Sequence, residues 1–332
     1  MKKTLIALAV LGAAAGVAHA QSNVTIYGVA DIGFVKESDK KMAMGENINN
    51  RLGFMGSEDL GGGLKATFQL EQRFNLFDGT QKGNEFDGAS NLGLAGASWG
   101  QVRFGRVNNL SVETIRKFDP FDQYGVGGMF ENNLRSARIS NTTRYDSPVW
   151  SGFQFGASYT LEAPGQATPV AATKNAGYAL TLKYNNGPLA LAANYDKAAD
   201  SNDSNNWNLG AAYSFGPLKV SALYEQAKTG AGFAGGNWTA GAVDVKEKIW
   251  LLGAAYKVGA GVINASYGQY KIKDLADSTD KKFAIGYTHN LSKRTSVYAN
   301  IAHTKYDNNS VLNASATDDS STAYQVGMTH KF

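Results

Sequence analysis

The chain has 332 residues, and its 32 Lys and Arg against 28 Asp and Glu leave a formal charge of only +4, with no polybasic tract of the kind that binds nucleic acid. The absence of cysteine excludes a disulfide framework and thiol chemistry. Six prolines and 38 glycines beside 16 Tyr and 16 Phe point to strands and turns rather than helices.

Residues 1–20 place Lys2 and Lys3 before an apolar run from Leu5 to Val17 and end on Ala18-His19-Ala20. A basic start, an apolar middle and an A-x-A site make a secretory signal, cleaved after Ala20. The run is too short to cross a bilayer as a helix. Removing Lys2 and Lys3 takes the charge from +4 to +2. From Val24 to Phe332 no linker-like shift interrupts the texture, so residues 21–332 are expected to form one domain.

That texture is alternation with period two. Val24, Ile26, Gly28, Ala30, Ile32 and Phe34 share one parity, opposite Thr25, Tyr27 and Asp31. Leu64, Ala66, Phe68 and Leu70 alternate with Lys65, Thr67, Gln69, Glu71 and Arg73. In residues 248–258, Trp250, Leu252, Ala254, Tyr256 and Val258 form a set with aromatics near its ends, as the girdles of a membrane barrel require. Sixteen strands of about 9–12 residues are counted, centred near Ala30, Phe54, Leu70, Leu94, Phe104, Tyr145, Gly156, Leu182, Leu191, Ala211, Leu223, Leu252, Ala265, Ile285, Ala299 and Gly327. Tight connections at 59–63, 98–101, 185–188, 215–217, 259–261 and 290–294 alternate with longer polar ones at 78–90, 162–175, 198–206, 227–246, 271–281 and 307–321. An all-β, transmembrane, antiparallel up-and-down barrel has this asymmetry, with short turns at one end and long loops at the other.

One stretch, Asn108 to Arg138, breaks the pattern. It carries Glu113, Asp119, Asp122 and Glu131 beside Arg116, Lys117, Arg135 and Arg138, and its Phe118, Phe121, Tyr124, Met129 and Phe130 need apolar surroundings. A connection this long is functional or disordered, and those aromatics argue for a packed, functional loop.

The stretches NVTIYGVADIGF (23–34), RLGFMGSEDLGGGLKATFQLE (51–71), FGR (104–106), RYDSP (144–148) and VGMTHKF (326–332) resemble the Gram-negative general porins, in the branch typical of beta-proteobacteria. The resemblance covers essentially all of the chain after the signal. It implies a homotrimer of sixteen-stranded barrels in the outer membrane, with the third external loop folded inward to narrow each pore. Asn108–Arg138 sits where that loop belongs. The family carries a ladder of arginines on the wall opposite carboxylates on the loop, and by motif Arg51, Arg106 and Arg138 match ladder positions. Parity supports Arg51 and also Arg138, in phase with Arg144 and Asp146; Arg106 shares a phase with Val102 and Phe104, so its place requires a bulge or a strand end. The expected constriction is therefore Arg51, Arg106, Arg138 and Arg144 on the wall, facing Asp119, Asp122 and Glu131 on the loop. The loop departs from the family in offering Asp119-Pro120-Phe121-Asp122 at its tip. Phe332, the terminal aromatic, is implied to be part of the signal read by the outer-membrane insertion machinery.

The function expected is a passive, anion-preferring diffusion channel for ions and small hydrophilic solutes, with outer-membrane lipid and lipopolysaccharide as surroundings. The alternatives are a barrel that serves as an anchor or adhesin and a barrel hydrolase. For the hydrolase, His289, His303 and His330 have no serine or acid placed with them in a recognisable constellation. Against the anchor stand the Thr, Gln, Glu, Lys and Arg of the expected inner parity, the lining of a water-filled pore. No cofactor or metal is called for: a G-x-x-x-x-G-K motif is absent, and Asp318-Asp319 reads as solvated loop charge.

Overall fold

The computed structural model describes residues 23–132, 134, 136–161, 176–200, 203–231, 244–275, 277–313 and 318–332. The leader-like residues 1–20, the connection 162–175 and Arg135 lie outside them. The described residues form one antiparallel sheet of seventeen strands. In order these are β1 (Asn23–Glu37), β2 (Ala43–Gly45), β3 (Arg51–Gly61), β4 (Leu64–Arg73), β5 (Ser90–Gly96), β6 (Gly100–Asn108), β7 (Arg138–Asp146), β8 (Phe153–Thr160) and β9 (Gly177–Asn186). There follow β10 (Leu189–Lys197), β11 (Asn205–Phe215), β12 (Leu218–Thr229), β13 (Val245–Val258), β14 (Gly261–Lys273), β15 (Ser278–Asn290), β16 (Thr295–Lys305) and β17 (Ser320–Lys331). β2 and β3 both pair with β1 and make one wall strand interrupted at residues 46–50, so the wall has sixteen. All sixteen expected centres fall inside these strands.

The ring closes because β1 pairs with β3 from Asn23 to Val29 and with β17 from Val29 to Glu37. At the seam Gly28 N–H donates to the Phe332 carbonyl (2.9 Å) and Phe332 N–H donates to the Gly28 carbonyl (3.2 Å). The Phe332 ring lies where a Cβ on residue 28 would be, so that position needs glycine. A closed ring leaves no sheet edge, which is what lets strands cross hydrocarbon.

Each strand presents one apolar face outward. Leu92 lies opposite Phe104, Ile285 opposite Ile301, and Val326 opposite Phe34, and all of these are exposed. Leu252, Tyr256 and Val258 of β13 are likewise exposed, as the alternation predicts. The connections divide by length between the two ends. Besides the tight ones read from sequence, residues 147–152 form a further short connection between β7 and β8. The expected long connection at 271–281 is instead only 274–277, because β14 and β15 continue into it. Leaving aside the three-residue β2, the strands also vary more than expected, from 7 residues in β5 to 15 in β1.

Candidate constriction site

Between β6 and β7 the chain leaves the wall. Asn109 caps α1 (Leu110–Ile115), its side-chain oxygen accepting from Ser111 N (2.9 Å) and Val112 N (3.2 Å), and a 3-10 turn follows over Arg116–Phe118. Helix α1 packs on β8, β9, β10 and β11, and the 3-10 turn packs on β11 and β12. These contacts are with the face opposite the apolar outer one. Leu110 lies on Gly156, Phe118 on Gly210, Pro120 on Gly253 and Phe121 on Gly286, each glycine a place where a Cβ would collide with the loop. Ile115, Phe118, Met129 and Phe130 form one buried cluster with Ala192, Ala212, Leu223, Ile249, Leu251 and Tyr270 of the wall. Ile249 and Leu251 share the parity of Lys257, yet they are buried because the loop covers them. Of the five loop residues expected to need apolar surroundings, Tyr124 differs: it is half-exposed, and its hydroxyl accepts from Arg116 Nη1 (2.7 Å).

Arg51 and Arg138 line one small cavity together with Arg73, Arg116, Gln69, Glu71, Val112 and Glu113. Glu71 is buried; it pairs with Arg73 at 2.6 Å, approaches Arg138 at 3.8 Å and accepts from the Tyr27 hydroxyl at 3.1 Å. Arg51 and Arg116 pair with no carboxylate among the described residues. Arg144 performs a different task. Its guanidinium holds Asp146 (2.8 Å), the Asn108 carbonyl (2.8 Å) and Glu113 (2.6 Å), and so ties the start of the loop to β7. Arg106 sits in a bulge between Gly105 and Val107, which resolves its parity. Its guanidinium binds Asp87 (3.0 Å) and Ser140 Oγ (2.9 Å) rather than opening into the cavity of Arg51.

The three loop acids separate in the same way. Asp119 is buried and accepts from Phe121 N (3.0 Å), Gln123 N (3.0 Å) and Met129 N (2.8 Å). It is a staple inside the loop, holding the left-handed turn at Asp122 and Gln123 (φ 52 and 61). Burial pushes its carboxyl above the ordinary range, against those three N–H groups, which pull it down. Asp122 is exposed at the tip, outside the cavity of Arg51. Glu131 lines a second cavity of about 350 Å³ with Glu46, Lys82, Arg116 and Tyr124. Two charges of the connection 78–90 pair within the chain, Lys82 with Glu46 and Asp87 with Arg106.

The profile described as Gram-negative porin matches residues 7–309. The chain belongs to the Gram-negative porin family. An outer membrane porin protein of Bordetella pertussis is 33% identical, and outer membrane porin protein 32 of Delftia acidovorans is 34% identical; in both cases all of each chain is covered. The solved anion-selective porin from Comamonas acidovorans superposes with a TM-score of 0.79 at 30% identity, covering 94% of this chain and all of that one. This porin is thus an integral β-barrel of the outer membrane, and its function is that of a diffusion channel.

Three residues of the candidate site were not anticipated, Glu71, Arg73 and Arg116, and Glu113 was read only as one of the loop's acids. For Glu71 and Arg73 a signal existed, since both share the polar parity of Lys65 and Gln69 at the end of β4. For Arg116 none did, because a loop has no parity.

Proposed function

We propose that this porin prefers anions and that residues 109–137 set its narrowest passage. The observation that carries the reading is charge imbalance at one place: Arg51, Arg73, Arg116 and Arg138 surround a cavity whose acids are Glu71 and Glu113. Fixed charges act over about a Debye length, roughly 8 Å at physiological salt, so this local excess governs permeation more than the net charge of the chain. Guanidinium groups and carboxylates set across a gap in low-dielectric walls produce a transverse field that orients water and disfavours apolar solutes. The similarity to a porin described as anion-selective points the same way. Reversal potentials under a KCl gradient test it. Arg51→Ser with Arg138→Ser should move the potential toward cation selectivity and raise conductance; no change in either would remove these arginines from the constriction.

The mature chain is proposed to begin at Gln21, to form one domain through Phe332, and to assemble as a trimer through its early strands. An unheated mild-detergent gel showing only monomer would overturn the trimer. Phe332, which closes the seam on Gly28, is proposed to be read by the insertion machinery as well. Deleting it should leave the chain in the periplasm, and normal outer-membrane levels after deletion would refute that role.

A further inference from the structure

The wall strand made by β2 and β3 is broken at residues 46–50, although β1, with which both halves pair, runs through from Asn23 to Glu37. A break removes backbone groups from the ladder, so other groups must hold the segment. Asp31, in β1 between the two pairings, is one of them. Its carboxylate accepts from Asn47 N (2.7 Å) and from the Tyr298 hydroxyl (2.8 Å), and its N–H donates to the Asn50 side-chain oxygen (2.5 Å). Gln325 is another. Its Nε2 donates to the Glu46 carbonyl (3.0 Å), and its oxygen accepts from Val126 N of the loop (3.2 Å). Held in this way, the segment places Glu46, Asn47 and Asn49 in the lining of the 350 Å³ cavity that Gln123, Tyr124 and Glu131 line from the loop.

That cavity adjoins the cavity of Arg51 and Arg138, because Val112, Arg116 and Ala137 line both. The two chambers have opposite chemistry. On one side stand Arg51, Arg73 and Arg138, and Arg116 marks the border. On the other stand the carboxylates of Glu46 and Glu131. Glu46 is matched by Lys82. Glu131 is exposed and pairs with no base among the described residues; Lys282, the wall base near it, donates to the Gly128 carbonyl instead (2.6 Å). Arg116 is held in place, its Nη1 on the Tyr124 hydroxyl (2.7 Å) and its guanidinium 4.7 Å from the centre of that ring. Its Nε is buried with no hydrogen-bond partner, and so are Nε of Arg73 and of Arg138. Buried donors of this kind are open to a ligand's acceptor. A simple anion satisfies them but is repelled by Glu131, and a simple cation is repelled by four guanidinium groups. A molecule that carries a carboxylate close to an ammonium gains on both sides.

We propose that these adjoining chambers form a recognition site for small zwitterions of the amino-acid class, the carboxylate on Arg116 and the arginines beyond it, the ammonium on Glu131. The site rests on the reading that the arginine side is the narrow passage, and it adds a class of solute to that reading. Binding there is weak by design of the charges, since a channel must release what it attracts.

The test is the swelling rate of liposomes that contain the intact porin, with alanine and its uncharged isomer lactamide as solutes of one composition and nearly one size. An exposed ion pair is worth roughly threefold, so alanine should enter about threefold faster than lactamide. Glu131→Gln should remove most of that difference, and Glu131→Asp, which keeps the charge, should retain most of it. Asp319→Asn removes an exposed acid from an external loop and should leave the ratio at the parent's value. Alanine no faster than lactamide in the parent overturns the proposal, as does a ratio that Glu131→Gln leaves unaltered. A ratio that Asp319→Asn lowers equally overturns it too, because the effect would then belong to the general field. Reversal potentials under a KCl gradient, taken on the same proteins, keep the two readings apart. Cation preference in the parent refutes the anion reading, whereas anion preference with equal rates for the two isomers refutes the zwitterion site alone. Should Glu131→Gln not insert, the KCl current of the parent decides: equal attenuation by added alanine and added lactamide also overturns the site.

Discussion

Two regions of the inner wall obey the same alternation and end in opposite chemistry. On β10 to β14 the inward residues include Ala192, Ala212, Leu223, Ile249, Leu251 and Tyr270, apolar and covered by the loop. On β3, β4, β6 and β7 they include Arg51, Glu71, Arg73, Arg103, Arg138, Arg144 and Asp146. The first region holds the loop and the second is what the loop is held against. Apolar burial fixes the loop against the first region, while the second carries the charged groups, several of them in ion pairs.

The largest effect should come from loosening the apolar side. Truncating a packed Phe costs about 3–5 kcal/mol, so Phe118→Ala with Phe130→Ala should release the loop. Single-channel recordings should show larger and noisier currents with weakened selectivity; quiet currents of parental size would mean the loop is held elsewhere.

Next comes the charged side. Glu71→Gln removes the buried partner of Arg73 and leaves that guanidinium and Arg138 uncompensated, at a cost of about 3–5 kcal/mol. The thermal midpoint should fall while the reversal potential moves toward stronger anion preference. A midpoint equal to the parent's would show that Glu71 does not organise the cluster.

A smaller effect belongs to the staple. In Asp119→Asn one of two acceptor oxygens is lost, worth about 1–3 kcal/mol. Because burial raises the folded carboxyl above its ordinary value of about 3.9, the folded state holds the proton more firmly than the unfolded. The contribution of this group is therefore present in full below the ordinary value and declines as pH rises through the raised one. Asp119→Asn should flatten that slope in melts taken across acidic pH, and an unaltered slope assigns it to another group.

The smallest effect should be Asp87→Asn, which frees Arg106 from a half-exposed pair worth about 0–1 kcal/mol. Stability should hardly change, and anion preference should rise slightly in low-salt reversal potentials. A shift as large as that of Glu71→Gln would place Arg106 at the passage itself.

How the sequence foretold these regions differs between them. All sixteen wall strands were legible, because period-two alternation is a local property that each strand carries by itself. So were the outward faces and the inward direction of Arg51 and Arg138. The bulge at Gly105 to Val107 was legible only as a conflict, since Arg106 stood in the phase of Phe104. The short connection at 274–277 was misjudged, because Lys271, Lys273 and Lys281 look like loop charge until their partners across the sheet are known.

By itself, then, the sequence determined the barrel, its count of strands, the two faces of each and the stretch that leaves the wall. Only the tertiary structure decided what each charge does. Asp119 turns into the loop because three N–H groups converge on it, Arg144 becomes a bracket because Glu113 and Asp146 flank it, and Arg73 joins Arg51 because β3 and β4 pair in that register. Alternation tells a side chain which face to take; its partners come from other strands and from the loop, and no local pattern encodes those distances.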